Sequence, residues 1–169
     1  MKLIVAADRR WAIGKEGRLL VTIPADQQMF MRETVGKVVV MGRKTLESLP
    51  GGQPLSRRTN LVLTRDENYR VKGAEVCTSL SQAMAFLRDR EERDIYIIGG
   101  ESIYRQFLPF CDEAHVTRID YAYDGDTYFP DLDADPEWEL FQESEEQTYF
   151  DLCYTFCHYR RKPKEGEGL

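Results

Sequence analysis

Up to about Pro109, short apolar, β-branched runs alternate along the chain with segments whose apolar residues recur at helical spacing. Lys2 to Ala7 reads as a buried strand, Lys37-Val38-Val39-Val40-Met41 as a second that Gly42 ends, and Thr59 to Thr64 as a third. Ala74 to Cys77 gives a short fourth, and Asp94-Ile95-Tyr96-Ile97-Ile98 a fifth that runs into Gly99-Gly100. Runs that are apolar on both faces predict strands inside a mostly parallel sheet, with helices covering each side. Helices are predicted over Pro24 to Thr34, around Arg43 to Ser48, over Ser79 to Asp89 and over Glu101 to Phe107. Ser79 stands as the N-cap of the third, with Gln82 as its capping-box partner. Asp8 to Ile23 reads as one long loop.

After Pro109 the pattern changes to alternation of apolar and polar positions, seen in Glu113 to Ile119, Trp138 to Phe141 and Tyr149 to Tyr159. The last two segments predict a hairpin through Glu143 to Gln147 that adds antiparallel strands to the sheet edge. The fold class is therefore α/β: a single domain with a mixed, mainly parallel central sheet, antiparallel C-terminal strands and helices on both faces. The domain is expected to span residues 1–162, followed at 163–169 by a polar, glycine-bearing tail that frays.

A chain of 169 residues and 19.7 kDa suits one compact domain that builds its core without metal or disulfides. Lys+Arg 23 against Asp+Glu 29 gives a net charge of -6, which argues against a general nucleic-acid binder. The N-terminal apolar run is too short and too soon charged for a signal peptide, and no run reaches membrane-spanning length. A cytoplasmic enzyme or binding domain is expected, with Cys77, Cys111, Cys153 and Cys157 reduced. Cys153-x-x-x-Cys157-His158 is the only arrangement that hints at metal, but it lies in an alternating strand and one other histidine alone exists to complete a set. No metal site is expected.

The candidate chemistry lies at the ends of the predicted strands, where ligands of open α/β sheets bind. In Leu20-Val21-Thr22-Ile23-Pro24-Ala25-Asp26, proline pre-sets a first-turn φ and an acid follows. Asp26 has two readings: an exposed acid favoured by the helix dipole, or a half-buried carboxylate whose pKa desolvation raises and which recognises or protonates a ligand. Gly42-Arg43-Lys44-Thr45 after the second strand offers free N–H groups, a hydroxyl and two cations at a helix start. Thr64-Arg65 adds a cation after the third, and Gly99-Gly100-Glu101-Ser102 a second glycine-bearing helix start after the fifth. Singly, each is an ordinary tight turn or solvated helix start. Together they predict an extended ligand with several phosphates, and Arg43, Lys44 and Arg65 suit a 2′-phosphate, hence NADPH over NADH. No G-x-G-x-x-G follows the first strand, so this is not the Rossmann fingerprint.

These residues carry a family resemblance. Ile13-Gly14, Ile23-Pro24-Ala25-Asp26 with Phe30, Val40-Met41-Gly42-Arg43-Lys44-Thr45 with Glu47-Ser48, and Arg58-Thr59-Asn60 stand in the order and spacing of the dihydrofolate reductases. So do Ile97-Ile98-Gly99-Gly100 with Ile103-Tyr104, Thr117-Arg118-Ile119 and Gly125-Asp126-Thr127-Tyr128-Phe129-Pro130, and the chain resembles that family along nearly its whole length. The resemblance implies reduction of dihydrofolate with NADPH, by hydride transfer to C6 and protonation of N5. Asp26 would accept bonds from N3 and the 2-amino group of the pteridine, as the one polar anchor in a pocket of Ile4, Val5, Phe30, Leu49, Leu55 and Ile98. Arg58 matches the clamp on the glutamyl α-carboxylate, Thr117 the hydroxyl that bonds the anchoring acid, and Gln27 faces the benzoyl side.

On the cofactor side, the resemblance places Ala6, Ile13, Gly14 and Tyr104 near nicotinamide and its ribose, with Ala6 and Tyr104 also reaching the substrate. Gly42, Arg43, Lys44 and Thr45 take the pyrophosphate and adenosine side, with Leu63, Thr64 and Arg65 near the 2′-phosphate. Ile98 and the segment Gly99, Gly100, Glu101, Ser102 and Ile103 line the pyrophosphate, with a cis Gly-Gly peptide, and Glu101 is expected to point outward. Gly125-Asp126-Thr127 resembles the outer loop whose acid steadies the first long loop, with Thr127 at the cofactor. The implied partners are dihydrofolate and antifolate inhibitors, bound by a monomer. Leu20-Val21 departs from the Pro-Trp of many bacterial members, and valine cannot donate the hydrogen bond by which that Trp helps hold a water. Two rivals remain open: a pyrimidine reductase of riboflavin synthesis, which would need neither Arg58 nor the Asp26 anchor, and a nucleotide-binding module without turnover.

Overall fold

Every apolar run named above forms a strand, and the bounds differ from expectation by a residue or two, as element ends do, except that the run expected from Tyr149 to Tyr159 is broken and its main strand starts at Leu152. The computed structural model describes residues 1–164, so positions 165–169 of the expected tail lie outside the described residues. The order is β1 (Lys2–Ala7), β2 (Ala12–Lys15), β3 (Arg18–Leu19), α1 (Pro24–Thr34), β4 (Val38–Gly42), α2 (Arg43–Ser48), β5 (Thr59–Leu63) and β6 (Ala74–Cys77). There follow α3 (Leu80–Leu87), β7 (Ile95–Gly99), α4 (Glu101–Phe107), β8 (Glu113–Ile119), β9 (Thr127–Tyr128), β10 (Trp138–Glu143), β11 (Gln147–Tyr149) and β12 (Leu152–Arg161). The main sheet runs β10-β12-β8-β1-β7-β4-β5-β6. From β8 to β6 all pairs are parallel, and β12 and β10 extend the edge antiparallel.

Strand alternation sorts the core onto two faces. Val38 and Val40 of β4 join Leu3, Leu61 and Ile97 in one buried cluster, whereas Val39 and Met41 join Ile4, Val62 and Tyr96 in another. Helices α3 and α4 close the first face through Ala83, Leu87, Ile103 and Phe107, and α1 and α2 close the second through Met29, Phe30 and Leu46. Each fully buried aliphatic chain such as Leu46 contributes about 1.5–3 kcal/mol. Helix α1 starts on Pro24 with no side-chain cap, so its N-terminal N–H groups stay free beside Asp26. At α3 the Gln82 N–H donates to Ser79 Oγ at 3.1 Å, as a cap requires. The Gln82 carboxamide, however, accepts from the Thr78 N–H at 2.8 Å, so the return half of the box falls one residue early.

Two expectations change. The segment Asp8 to Ile23 is not an open loop: β2 and β3 pair within it, and β9 joins them as a small second sheet. These strands are two to four residues long, too short to leave a periodic signal. The C-terminal hairpin turns at Phe150-Asp151, between the paired Tyr149 and Leu152, and not through Glu143 to Gln147. β10 and β11 lie along the same strand, β12, with residues 144–146 as an irregular step between them.

Asp8 ties the small sheet to the domain. It is fully buried, and its carboxylate accepts from the N–H groups of Arg10 at 2.8 Å, Ala12 at 2.9 Å and Tyr123 at 2.8 Å. Asp8→Ala leaves those donors unsatisfied and is expected to destabilise the protein by roughly 2–4 kcal/mol in urea unfolding. A loss under about 0.5 kcal/mol, the range of an ordinary surface substitution, would show that the loop holds without it.

Candidate active site

The carboxyl ends of β5, β4, β7 and β1 lie side by side, and the residues that follow them gather at one end of the sheet, where open α/β folds form their ligand cleft. On one side of it stands Asp26, in the first turn of α1, half-buried. Thr117 of β8, fully buried, donates its hydroxyl to Asp26 Oδ1 at 2.6 Å. Burial raises the Asp26 pKa above the ordinary carboxylate value, and the Thr117 bond, which favours the charged form, offsets part of that rise. The acid is therefore a held, partly desolvated group and not an exposed dipole partner.

Ile4, Phe30, Leu49, Leu55 and Ile98 belong to the same face of the sheet as α1. Val5, expected with them, points to the opposite cluster because neighbouring residues on β1 alternate. Ala6 is paired in register with Thr117 and packs near Ile23 and Val21. Gln27 is exposed on α1 beside Asp26. Tyr104 of α4 is buried and donates to the Ile4 carbonyl at 2.7 Å. Burial pushes its phenol pKa well up, and the Asp26 charge adds to that, so Tyr104 stays a neutral positioning group. Arg58 is fixed by bonds to Thr34 Oγ1 at 3.2 Å, the Ser56 carbonyl at 2.8 Å and the Met31 carbonyl at 2.7 Å, which leave a guanidinium with N–H groups to spare.

Across the cleft, Gly42 and Gly100 are the N-caps of α2 and α4, on neighbouring strands, and neither helix start carries a side-chain cap. A Cβ on Gly42 would lie 3.2 Å from Ile103, and one on Gly100 would lie 3.6 Å from Thr45 Oγ1. Gly99 has φ +122 and a cis peptide to Gly100, and its Cα faces the Tyr104 ring. Free backbone donors between two close helix starts fit a pyrophosphate. Ser102 Oγ accepts from Gln106 at 3.0 Å. Leu63 ends β5 in the core, with Thr64 half-buried and Arg65 exposed just beyond it, and Lys44 exposed on α2.

Besides Val5, two side chains differ from expectation. Arg43 is held by Glu47 at 2.8 Å and Asp66 at 3.3 Å and lies over the Tyr69 ring, so its charge is already engaged. Glu101 does not simply point outward: it accepts from the Tyr128 N–H at 3.2 Å and lies 3.5 Å from Arg105. It thereby ties the start of α4 to the small sheet. In that sheet Ile13 is half-buried, Gly14 pairs with Thr127, and a Cβ on Gly14 would lie 2.8 Å from Thr127 Oγ1. Asp126 receives the Glu16 N–H at 2.9 Å and gives its own N–H to the Gly14 carbonyl at 2.9 Å. Asn60, absent from the candidate set, is buried and exchanges bonds with Leu55 at 3.0 and 2.9 Å, which fixes that wall of the pocket. A polar residue inside an otherwise apolar strand was the available signal for it.

The dihydrofolate reductase family model matches residues 1–161. Similar proteins include the dihydrofolate reductase of Haemophilus influenzae, 40% identical over 156 residues that cover 90% of this chain and 94% of that one. The dihydrofolate reductase of Staphylococcus haemolyticus is 35% identical, with 95% of each chain covered. Among solved structures, dihydrofolate reductase from Enterococcus faecalis complexed with NADP(H) and RAB-propyl has a TM-score of 0.84 at 30% identity, over 96% of each chain.

Thr117→Val keeps the shape and removes the one side-chain donor bonded to Asp26 among the described residues. Because that bond favours the charged carboxylate, the Asp26 titration followed by carboxyl carbon NMR is expected to move to higher pH. A titration that does not move, or moves down, would mean that desolvation alone sets it.

Proposed function

The chain belongs to the dihydrofolate reductase family, and from that premise we propose how its residues carry the NADPH-dependent reduction of 7,8-dihydrofolate to 5,6,7,8-tetrahydrofolate, which supplies one-carbon metabolism. The observation that carries the reading is Asp26, half-buried and bonded to Thr117 at 2.6 Å, beside the apolar wall and across the cleft from the two glycine-capped helix starts. Bound NADPH supplies the hydride, which C6 of the pterin receives while N5 gains a proton. Asp26 accepts from N3 and the 2-amino group, a planar bidentate match that orients the ring. Ile4, Phe30, Leu49, Leu55 and Ile98 exclude water around it. Arg58, its guanidinium fixed by α1 and Ser56, offers its remaining N–H groups to the glutamyl α-carboxylate.

On the other side Gly42, Thr45, Gly100 and Ser102 receive the pyrophosphate, and Gly14 and Thr127 close over the nicotinamide ribose. Arg65 and Lys44, both exposed at strand ends, read the 2′-phosphate, with Arg43 held back by its own acids. Proton delivery runs through solvent at the Asp26 side. Val21, packed near Ile23 and Ile119, adds no donor there. We further propose that the protein acts as a cytoplasmic monomer on small molecules and antifolates and not on nucleic acid, a reading supported by the net charge of -6. No helix among the described residues is long and apolar enough to cross a membrane.

Asp26→Asn is expected to lower kcat by roughly 10²–10⁴-fold at neutral pH while leaving NADPH affinity unchanged. Because the bidentate match needs the ionised carboxylate, the KM for dihydrofolate should rise as pH falls through the raised Asp26 pKa, and the variant should lose that dependence. Steady-state NADPH oxidation with dihydrofolate across pH checks both, and parallel losses of turnover and NADPH binding would sink the role. Arg65→Ala should weaken NADPH by about 1–3 kcal/mol, roughly 5- to 150-fold, and leave NADH use unchanged. Equal effects on both cofactors would remove Arg65 from the 2′-phosphate.

A further inference from the structure

Both histidines of the chain meet at one place that the reductase site does not use. His115 of β8 and His158 of β12 are direct cross-strand partners, and their rings stack with centroids 4.6 Å apart and an interplanar angle of 12°. Glu113, two residues before His115 and so on the same face of β8, brings Oε2 to 3.5 Å from His158 Nε2. One ligand atom from each of the three lies within 4.8 Å of the other two. The Nε2 atoms of both imidazoles are buried and have no hydrogen-bond partner. Buried ring nitrogens are ordinarily satisfied, so a pair left open side by side calls for an explanation.

We propose that Glu113, His115 and His158 form a binding site for a divalent transition cation of the zinc class. Two neutral imidazoles and one carboxylate are the donor set that zinc, cobalt and nickel accept, and that magnesium and calcium do not favour. In a tetrahedral site with metal–ligand bonds of 2.0–2.1 Å the ligand atoms stand about 3.4 Å apart. His158 and Glu113 are already at 3.5 Å and the His115 ligand atom lies within 4.8 Å of both, so His115 has to turn out of the stack to complete the set. Glu113 and His158 keep side-chain exposures of 36% and 23%, which gives the ion an entrance and leaves the fourth position to water. Cys157, the neighbour that suggested a metal set in the sequence, turns to the opposite cluster and takes no part.

The charges facing the site set its strength. Lys2 of β1 lies 3.4 Å from Glu113 Oε2 and holds the place a metal ion would take. From α1, Glu33 accepts from the Tyr96 hydroxyl at 3.0 Å, with the Tyr96 ring 6.3 Å from His115 between centroids. Arg160 of β12 is drawn away by Glu139 at 2.7 Å. The cluster sits at the start of β8, by Lys2 to Ile4 of β1, and Thr117, which holds Asp26, is the next residue along the same face.

The test is calorimetric titration of the untagged full chain with zinc chloride, and visible absorption with cobalt chloride. One ion per chain is expected, with affinity reduced at least tenfold in His115→Gln, His158→Gln and Glu113→Gln, and increased severalfold in Lys2→Met. Cys153→Ser, which removes the one half-buried thiol, should bind as the wild type does. Circular dichroism and wild-type turnover show which variants are folded, and if the histidine variants are not, Glu113→Gln and Lys2→Met decide. Binding that survives all three ligand substitutions, binding lost only in Cys153→Ser, or no binding at all would overturn the site without touching the reductase reading.

Discussion

A carboxylate in an apolar cleft must be held by a partner or give up its charge, and the short bond from Thr117 to Asp26 meets that constraint here. The acid comes from α1 and the hydroxyl from β8, so the bond also fixes where α1 lies on the sheet. A second bond of the same kind, from Tyr104 to the Ile4 carbonyl, fixes α4 on the neighbouring strand β1. Between these two polar ties the walls are apolar. Desolvation therefore acts on Asp26 nearly alone, opposed only by Thr117, and the resulting rise in its pKa belongs to the pocket's construction.

The phosphate side is built on the opposite principle, with many weak donors and no single anchor. The chain is acidic overall, with a net charge of -6, yet Lys44 and Arg65 lie exposed at adjacent strand ends. Local placement outweighs net charge, because exposed acids farther away than the Debye length of about 8 Å are largely screened. Arg43 is the exception among these cations. Glu47, Asp66 and the Tyr69 ring hold it, which turns a residue suited to phosphate into a brace between α2 and the segment after β5. Glu101 likewise avoids the phosphate by bonding the Tyr128 N–H, so an acid at a helix start serves to join α4 to the small sheet.

The parts legible in the sequence were those with local causes. Apolar runs gave the parallel strands, Pro24 and Ser79 marked helix starts, and Gly42 and Gly99-Gly100 marked the strand ends where backbone must stay open. What stayed hidden depends on contacts between distant residues. β2, β3 and β9 are short strands stabilised by one another, and Asp8 finds its third donor at Tyr123. The turn at Phe150-Asp151 lacks glycine or proline to announce it, and Phe150 takes a left-handed φ of 54° without either. Val5 was placed on the pocket wall by resemblance, against the alternation that its own strand imposes. His115 and His158 lie 43 residues apart, and only the antiparallel register of β8 and β12 makes them neighbours.

That register shows how one strand serves two chemistries. Glu113, His115 and Thr117 share a face of β8, while Ala114 and Val116 go to the core on the other. Helix α1 brings Asp26 from its first turn to Thr117, and Glu33, near its end, acts on His115, so α1 runs along β8 in the opposite sense. Over that length a helix advances 1.5 Å per residue and a strand about 3.3 Å, so few of their residues can face one another. The polar groups accordingly gather at the two ends of the contact, with the apolar Ile4 of the next strand between them. Each end is held by its own hydrogen bonds or ion pairs.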